Sequence, residues 1–177
     1  MLELFDIQHP ESSIQPSDAQ AAMPASYEPV LHVVLYQPEI PYNTGSVGRT
    51  CVAVGAKLWL VRPLGFRVDD YYLRRAGLDY WEHLAWEVID NWEALTAALP
   101  AARRWLFTKK AQRSYLDAVF QPGDVLVFGS ESAGLPDSLL AAHSENQLRI
   151  ATRPEVRSLN LSNSVAVAAY EALRQWS

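Results

Sequence analysis

Only one cysteine, Cys51, occurs in the 177 residues. That excludes an internal disulfide framework and any multi-cysteine zinc site. The four histidines are scattered with no i,i+4 pair, so no metal is expected. No apolar run approaches the ~18 residues that a membrane helix needs. The first residues carry neither a basic n-region nor an apolar h-region. A soluble cytoplasmic protein without a membrane partner is expected. Neither G-x-G-x-x-G nor a P-loop lysine follows any strand, which disfavours dinucleotide and ATP-phosphate sites. No internal repeat is present.

Positive charge is missing altogether from residues 1–28, which hold five acids: Glu3, Asp6, Glu11, Asp18 and Glu28. The segment is rich in Ser, Gln, Pro and Ala and shows no sustained period. It buries too little to offset its chain entropy and reads as an acidic, mobile extension ahead of one domain over 29–177. The formal net charge of −5 therefore belongs to the extension, and the domain balances 15 basic against 15 acidic residues. Lysine is scarce: only Lys57, Lys109 and Lys110 accompany twelve arginines. Arginine grips phosphate bidentately and stacks on bases, although it also serves buried ion pairs.

Hydrophobic residues make up 49% of the chain, enough for a core. The apolar runs 31–36, 58–61, 105–108, 125–128 and 148–151 read as buried strands, with another within 81–89. Between them lie helical signals. Thr44 or Ser46 caps a helix closed by Gly55, Asp90 or Asn91 opens one over 92–99, and Pro136 starts one running to Ala142. A last helix covers 160–175. Strands alternating with helices predict an α/β fold, a mostly parallel sheet with helices on both faces.

Ligands of such sheets gather at the carboxyl ends of the strands. Asn43-Thr44-Gly45 reads as a tight turn into a helix N-terminus, with Arg49 able to reach back. That is an anion site, or else a capped turn with Arg49 in solvent. Gly129-Ser130-Glu131-Ser132-Ala133-Gly134-Leu135-Pro136 lets backbone groups approach a ligand closely, or is simply a long turn. Ser158, Asn160, Ser162, Asn163 and Ser164 are more polar residues than one helix cap requires. Arg74 and Arg75, beside the aromatic Tyr80, suit a phosphate backbone and a stacked base, or merely cover a turn. Arg103, Arg104, Lys109, Lys110 and Arg113 form a second basic zone.

Together, in order and at family spacing, these three loops resemble the three motifs of the SPOUT superfamily of RNA methyltransferases. The first motif resembles 43–49, the second 128–136 and the third 149–164. The stretches 36–41, 62–66 and 73–80 match the branch that methylates the wobble ribose of tRNA. The resemblance covers about 30–176. It implies a C-terminal deep trefoil knot, a homodimer, and S-adenosylmethionine as the methyl donor. By position, Thr108, Gly129, Ile150, Ser158 and Leu159 would contact that cofactor. Arg49, Asn43, Glu131, Asn160 and Ser162 would form the catalytic constellation. Arg49 would orient the acceptor hydroxyl, Glu131 would order the second motif or Arg49, and Asn160 and Ser162 would shape the acceptor pocket. Arg74, Arg75 and Tyr170 would touch RNA. The implied reaction is 2'-O-methylation at position 34, cytidine or modified uridine, in a tRNA anticodon stem-loop. Two rivals stay open: a relative acting on another tRNA or rRNA position, and a non-catalytic RNA-binding knot protein. The turn 108–110 lacks the small residue usual in relatives, which makes Thr108 the least secure cofactor contact.

Overall fold

The computed structural model describes residues 28–68 and 80–176. The extension up to residue 27, and Arg74 with Arg75, lie outside the described residues. In chain order the elements are β1 (Leu31–Tyr36), α1 (Pro41–Val54), β2 (Ala56–Val61), β3 (Trp86–Ile89), α2 (Trp92–Ala98), β4 (Arg104–Phe107), β5 (Val125–Phe128), α3 (Asp137–Ala142), β6 (Gln147–Leu148) and α4 (Leu161–Arg174). Every strand pairing is parallel, in the order β3-β2-β1-β5-β4-β6.

Parallel strands buried on both faces need continuous apolar runs rather than alternation. Leu31-His32-Val33-Val34-Leu35-Tyr36 and Val125-Leu126-Val127-Phe128 supply them, and both strands have the expected bounds. One face packs Val33, Leu35, Leu58, Leu60 and Leu126 beneath α1 and α4, through Val47, Cys51, Val165 and Ala169. The other packs Val34, Trp59, Val61 and Val127 beneath α2 and α3, through Leu95, Leu139 and Leu140. Helices therefore cover both faces. Burying Leu95 alone contributes about 2 kcal/mol, and it is the one fully buried side chain of α2.

Local signals place most ends. Asn91 accepts from the Ala94 N–H at 2.8 Å and opens α2. Gly55 closes α1 in the left-handed region at φ 72°, open to glycine without strain. Several expectations need correction: strand β2 starts at Ala56 rather than at 58, and Pro136 is the N-cap of α3 rather than part of its first turn. Helix α1 begins at Pro41, not at Thr44 or Ser46, and its N-cap Ile40 makes no side-chain cap bond. Proline at the first helical position has no N–H to lose and a preset φ, so the helix starts there. Asn43-Thr44-Gly45 is consequently helix and not a turn. Strand β4 sits one residue earlier than expected, at 104–107. Strand β6 ends at Leu148 rather than at residue 151. Arg149 donates instead to the Arg113 carbonyl at 2.8 Å and accepts from the Tyr115 N–H at 3.0 Å, so the chain leaves β4 there.

The chain runs outward from β1 to β3 and then resumes with β4 and β5 on the other side of β1. The switch point of the sheet thus lies between β1 and β5, where the crevice for a ligand opens. At the far end of α4, Gln175 accepts from the Phe120 N–H at 2.9 Å and donates to the Ala118 carbonyl at 3.0 Å. Trp176 donates to the Phe120 carbonyl at 3.0 Å, so the end of the last helix is tied to 118–120. No helix of the described residues is long and apolar enough to cross a membrane.

Candidate active site

A cavity of about 510 Å³ opens at the switch point. That volume lies in the ~300–1,000 Å³ range of small-molecule sites. Phe107 and Phe128, level neighbours on β4 and β5, stack at 4.6 Å between ring centres and line it. The loops after β1, β4, β5 and β6 supply the rest of its wall. Thr108, Gly129, Ile150, Ser158 and Leu159 all line it, as do Asn43, Glu131 and Asn160. The structure therefore gathers residues spread over more than a hundred positions.

Gly129 has no room for a side chain: a Cβ would fall 2.0 Å from the carbonyl carbon of Gly134. The loop 129–134 folds back on itself, with the Gly134 N–H on the Ser130 carbonyl at 3.0 Å and Gly134 at φ 73°. Its backbone is thereby held against the cavity. In the turn 108–110 the Thr108 hydroxyl accepts from the Lys110 N–H at 3.2 Å.

Polar side chains link the three loops in one directed series. Glu131 accepts from the Asn43 amide at 2.8 Å and from the backbone N–H groups of Glu39 at 2.8 Å and Ile40 at 3.3 Å. Asn43 accepts from the Asn160 amide at 2.9 Å. Asn160 then caps α4, accepting from the Ser162 N–H at 2.9 Å and the Ser162 hydroxyl at 2.7 Å. Ser162 reaches the cavity only through Asn160 and is not among its lining residues.

Arg49 also stands outside the lining. It is an exposed residue of α1, with its guanidinium 4.7 Å from the centre of the Tyr80 ring. Glu131 orders the first motif loop through Glu39, Ile40 and Asn43. Tyr80 is only 8% exposed and donates its hydroxyl to the Gly45 carbonyl at 2.8 Å, so it is not a surface for a stacked base. Tyr170 lies on α4, 54% exposed and away from the lining.

The second basic zone divides in two. Lys109 and Lys110 line the cavity together with Arg149 and Arg157. Arg103 instead pairs with the buried Asp124 at 2.7 Å, Arg104 donates to the carbonyls of Leu99 and Ala102, and Arg113 donates to the Asp117 carbonyl. These three arginines serve the fold.

Glu39 and Ser132 are constellation members that motif reading passes over. Ser132 donates to the Glu39 carboxylate from both N–H and hydroxyl, while the Glu39 N–H bonds Glu131, so the two loops clamp each other. The available signal was an acid held between two prolines, Pro38 and Pro41. Among the described residues, no group of three His, Cys, Asp or Glu side chains is placed to hold a metal ion.

A parallel sheet with its pocket at the switch point, walled by a glycine loop and a Ser/Asn-rich helix start, is a small-molecule site of the α/β class. The chain belongs to the SpoU rRNA Methylase family, whose model matches residues 30–170. The relatives narrow the class. A tRNA (cytidine(34)-2'-O)-methyltransferase of Methylovorus glucosotrophus (strain SIP3-4) is 49% identical over 144 residues, 81% of this chain and 94% of the relative. A protein of the same name from Burkholderia ambifaria is 48% identical over 149 residues, 82% of this chain and 96% of that one. A solved structure concerned with 2-OH methylation of C/U34 on tRNA superposes with a TM-score of 0.79 at 50% identity, covering 82% of this chain and 95% of the other.

Proposed function

We propose that the protein transfers a methyl group from S-adenosylmethionine to the ribose 2'-hydroxyl of nucleotide 34, cytidine or modified uridine, in tRNA. The observation that carries this reading is the hydrogen-bonded series Glu131–Asn43–Asn160–Ser162, which joins all three motif loops around one cavity. Near-full-length similarity to enzymes of that name supports the substrate.

The cavity suits the cofactor in size and chemistry. Its wall combines the apolar Phe107, Phe128, Leu135, Ile150 and Leu159 with backbone groups of the 129–134 loop. Thr108, Gly129, Ile150, Ser158 and Leu159 would hold it. When bound, S-adenosylmethionine supplies an electrophilic methyl group on a sulfonium centre. The chain supplies alignment, which accounts for a large part of a two-reactant barrier. Arg49 orients the acceptor hydroxyl and its neighbouring phosphate. A guanidinium is a donor and not a base, so its part is positioning and charge stabilisation. Glu131, through Asn43, holds the first motif loop, and Asn160 and Ser162 shape the acceptor pocket. Lys109, Arg149 and Arg157 at the cavity, together with Arg74, Arg75 and Tyr170, meet the anticodon stem-loop.

The working unit is a homodimer in the cytoplasm, and the chain carries the trefoil knot of its family. Helices α1 and α4 pack together and expose Tyr42 and Val167, apolar area that a second copy would cover. The tie between the end of α4 and 118–120 fits a threaded last helix.

Transfer of labelled methyl to total tRNA, followed by nucleoside analysis and position mapping, tests the activity. Label in a 2'-O-methylated nucleotide 34 is expected, and label confined to another position or to rRNA overturns the assignment. Light scattering after gel filtration tests the dimer, with a monomer as the contrary result.

A further inference from the structure

We propose that Tyr80 is a positioning residue that sets the guanidinium of Arg49 for the acceptor nucleotide. The proposal rests on the role given above to Arg49. Tyr80 follows directly after the residues outside the described part of the chain, yet it is buried and fixed at two points. Its hydroxyl donates to the Gly45 carbonyl at 2.8 Å. In an α-helix the carbonyl of residue 45 also accepts the N–H of residue 49. The phenol is thus anchored one turn below Arg49, on the hydrogen bond that fixes the Arg49 backbone.

The ring then supports the other end of the same residue, with the guanidinium carbon 4.7 Å from the ring centre. A cation over a π face is attracted by the ring quadrupole. The contact depends on the seating of 80–84 against α1. A Cβ on Gly48 would lie 3.0 Å from Leu84 Cδ2 and 3.2 Å from Trp81 Cζ3, closer than ordinary packing. Gly45 offers its carbonyl, Gly48 gives room, and Arg49 lays its head group on the ring.

This arrangement answers a physical need. An arginine projecting from a helix into solvent has many rotamers, and catalysis by orientation needs one. The face of the Tyr80 ring gives the guanidinium one such bearing. A displacement of about 1 Å from a productive geometry costs about 10²-fold in rate.

The test compares Tyr80→Leu, Tyr80→Phe, Arg49→Ala and Arg49→Ala/Tyr80→Leu in the full chain. Each variant is assayed for kcat on tRNA, S-adenosylmethionine affinity by calorimetry, and melting temperature. Tyr80→Leu is expected to lower kcat by about 10–100-fold with cofactor affinity within about twofold of wild type. Tyr80→Phe, which keeps the ring, restores most of the rate. The double variant is no slower than Arg49→Ala alone, because both changes remove one function. Should Tyr80→Leu fail to fold, Tyr80→Met fills the same space with a flexible chain that lacks a π face. An inactive Arg49→Ala beside near-normal Tyr80→Leu or Tyr80→Met overturns the Tyr80 role alone. Tyr80→Phe as slow as Tyr80→Leu also overturns it, since the ring would then not be the support. An active Arg49→Ala overturns the role of Arg49 and that of Tyr80 together.

Discussion

Asn160 donates from Nδ2 to the Oδ1 of Asn43 across 2.9 Å, joining residues 117 positions apart. The direction of that bond is dictated from outside. Glu131 only accepts, so Asn43 must turn its NH2 toward it and its oxygen toward Asn160. Asn160 must then answer with its own NH2, which leaves its oxygen to cap the last helix. One carboxylate thus orients two amides and a helix start.

Asn43→Asp breaks this order. It removes the donor to Glu131 and places two carboxylates together, while Asn160 keeps an acceptor. A loss of about 1–3 kcal/mol is expected. Urea denaturation monitored by tryptophan fluorescence measures it.

Gly129→Ala places a methyl group 2.0 Å from the backbone of Gly134. The loop must open, and cofactor affinity is expected to fall by at least about tenfold, while the sheet stays folded. Calorimetric titration with S-adenosylmethionine, together with circular dichroism, checks both halves.

Arg49→Ala is expected to abolish methyl transfer and leave cofactor binding intact, since Arg49 does not line the cavity. Single-turnover transfer beside a cofactor titration separates the two. Equal loss of both would place Arg49 in the cofactor site instead.

His32 gives the fold an acid sensitivity. Burial first, then the charge of Lys57, lowers its pKa from 6.5 to about 4, while its Nδ1 accepts from Trp59 Nε1 at 3.1 Å. The folded state holds the neutral ring, and the unfolded chain takes up a proton sooner. The contribution is complete above about pH 6.5 and is lost as pH falls toward 4. About 1–2 kcal/mol is expected after allowing for solvent at the half-buried ring. His32→Gln should flatten that part of the stability profile, and an unchanged slope would assign the sensitivity to other groups.

Cys51 is fully buried within α1, and burial pushes its thiol well above the ordinary range. Iodoacetamide at pH 8 is expected to leave the native protein unmodified and to label it fully in denaturant. Mass spectrometry reads both states.

Local chemistry in the sequence determined much of this protein. The apolar runs of β1 and β5, the Asn91 cap and the Gly55 stop act within a few residues, and each forms where its pattern stands. The residues that the family resemblance picks out, from Thr108 to Leu159, lie in separate loops, and the fold sets them along the wall of one cavity. The tertiary structure decided the pairings. Arg103, Arg104 and Arg113 read as part of a second basic zone in sequence, yet the fold commits them to Asp124 and to backbone carbonyls. Tyr80 looks like an exposed stacking surface until α1 presents the Gly45 carbonyl and the space over Gly48. Glu39 and Glu131 hold each other's loops only because β1 and β5 lie side by side. A residue's partner is set by which strand ends the topology makes neighbours, and no local pattern contains that distance.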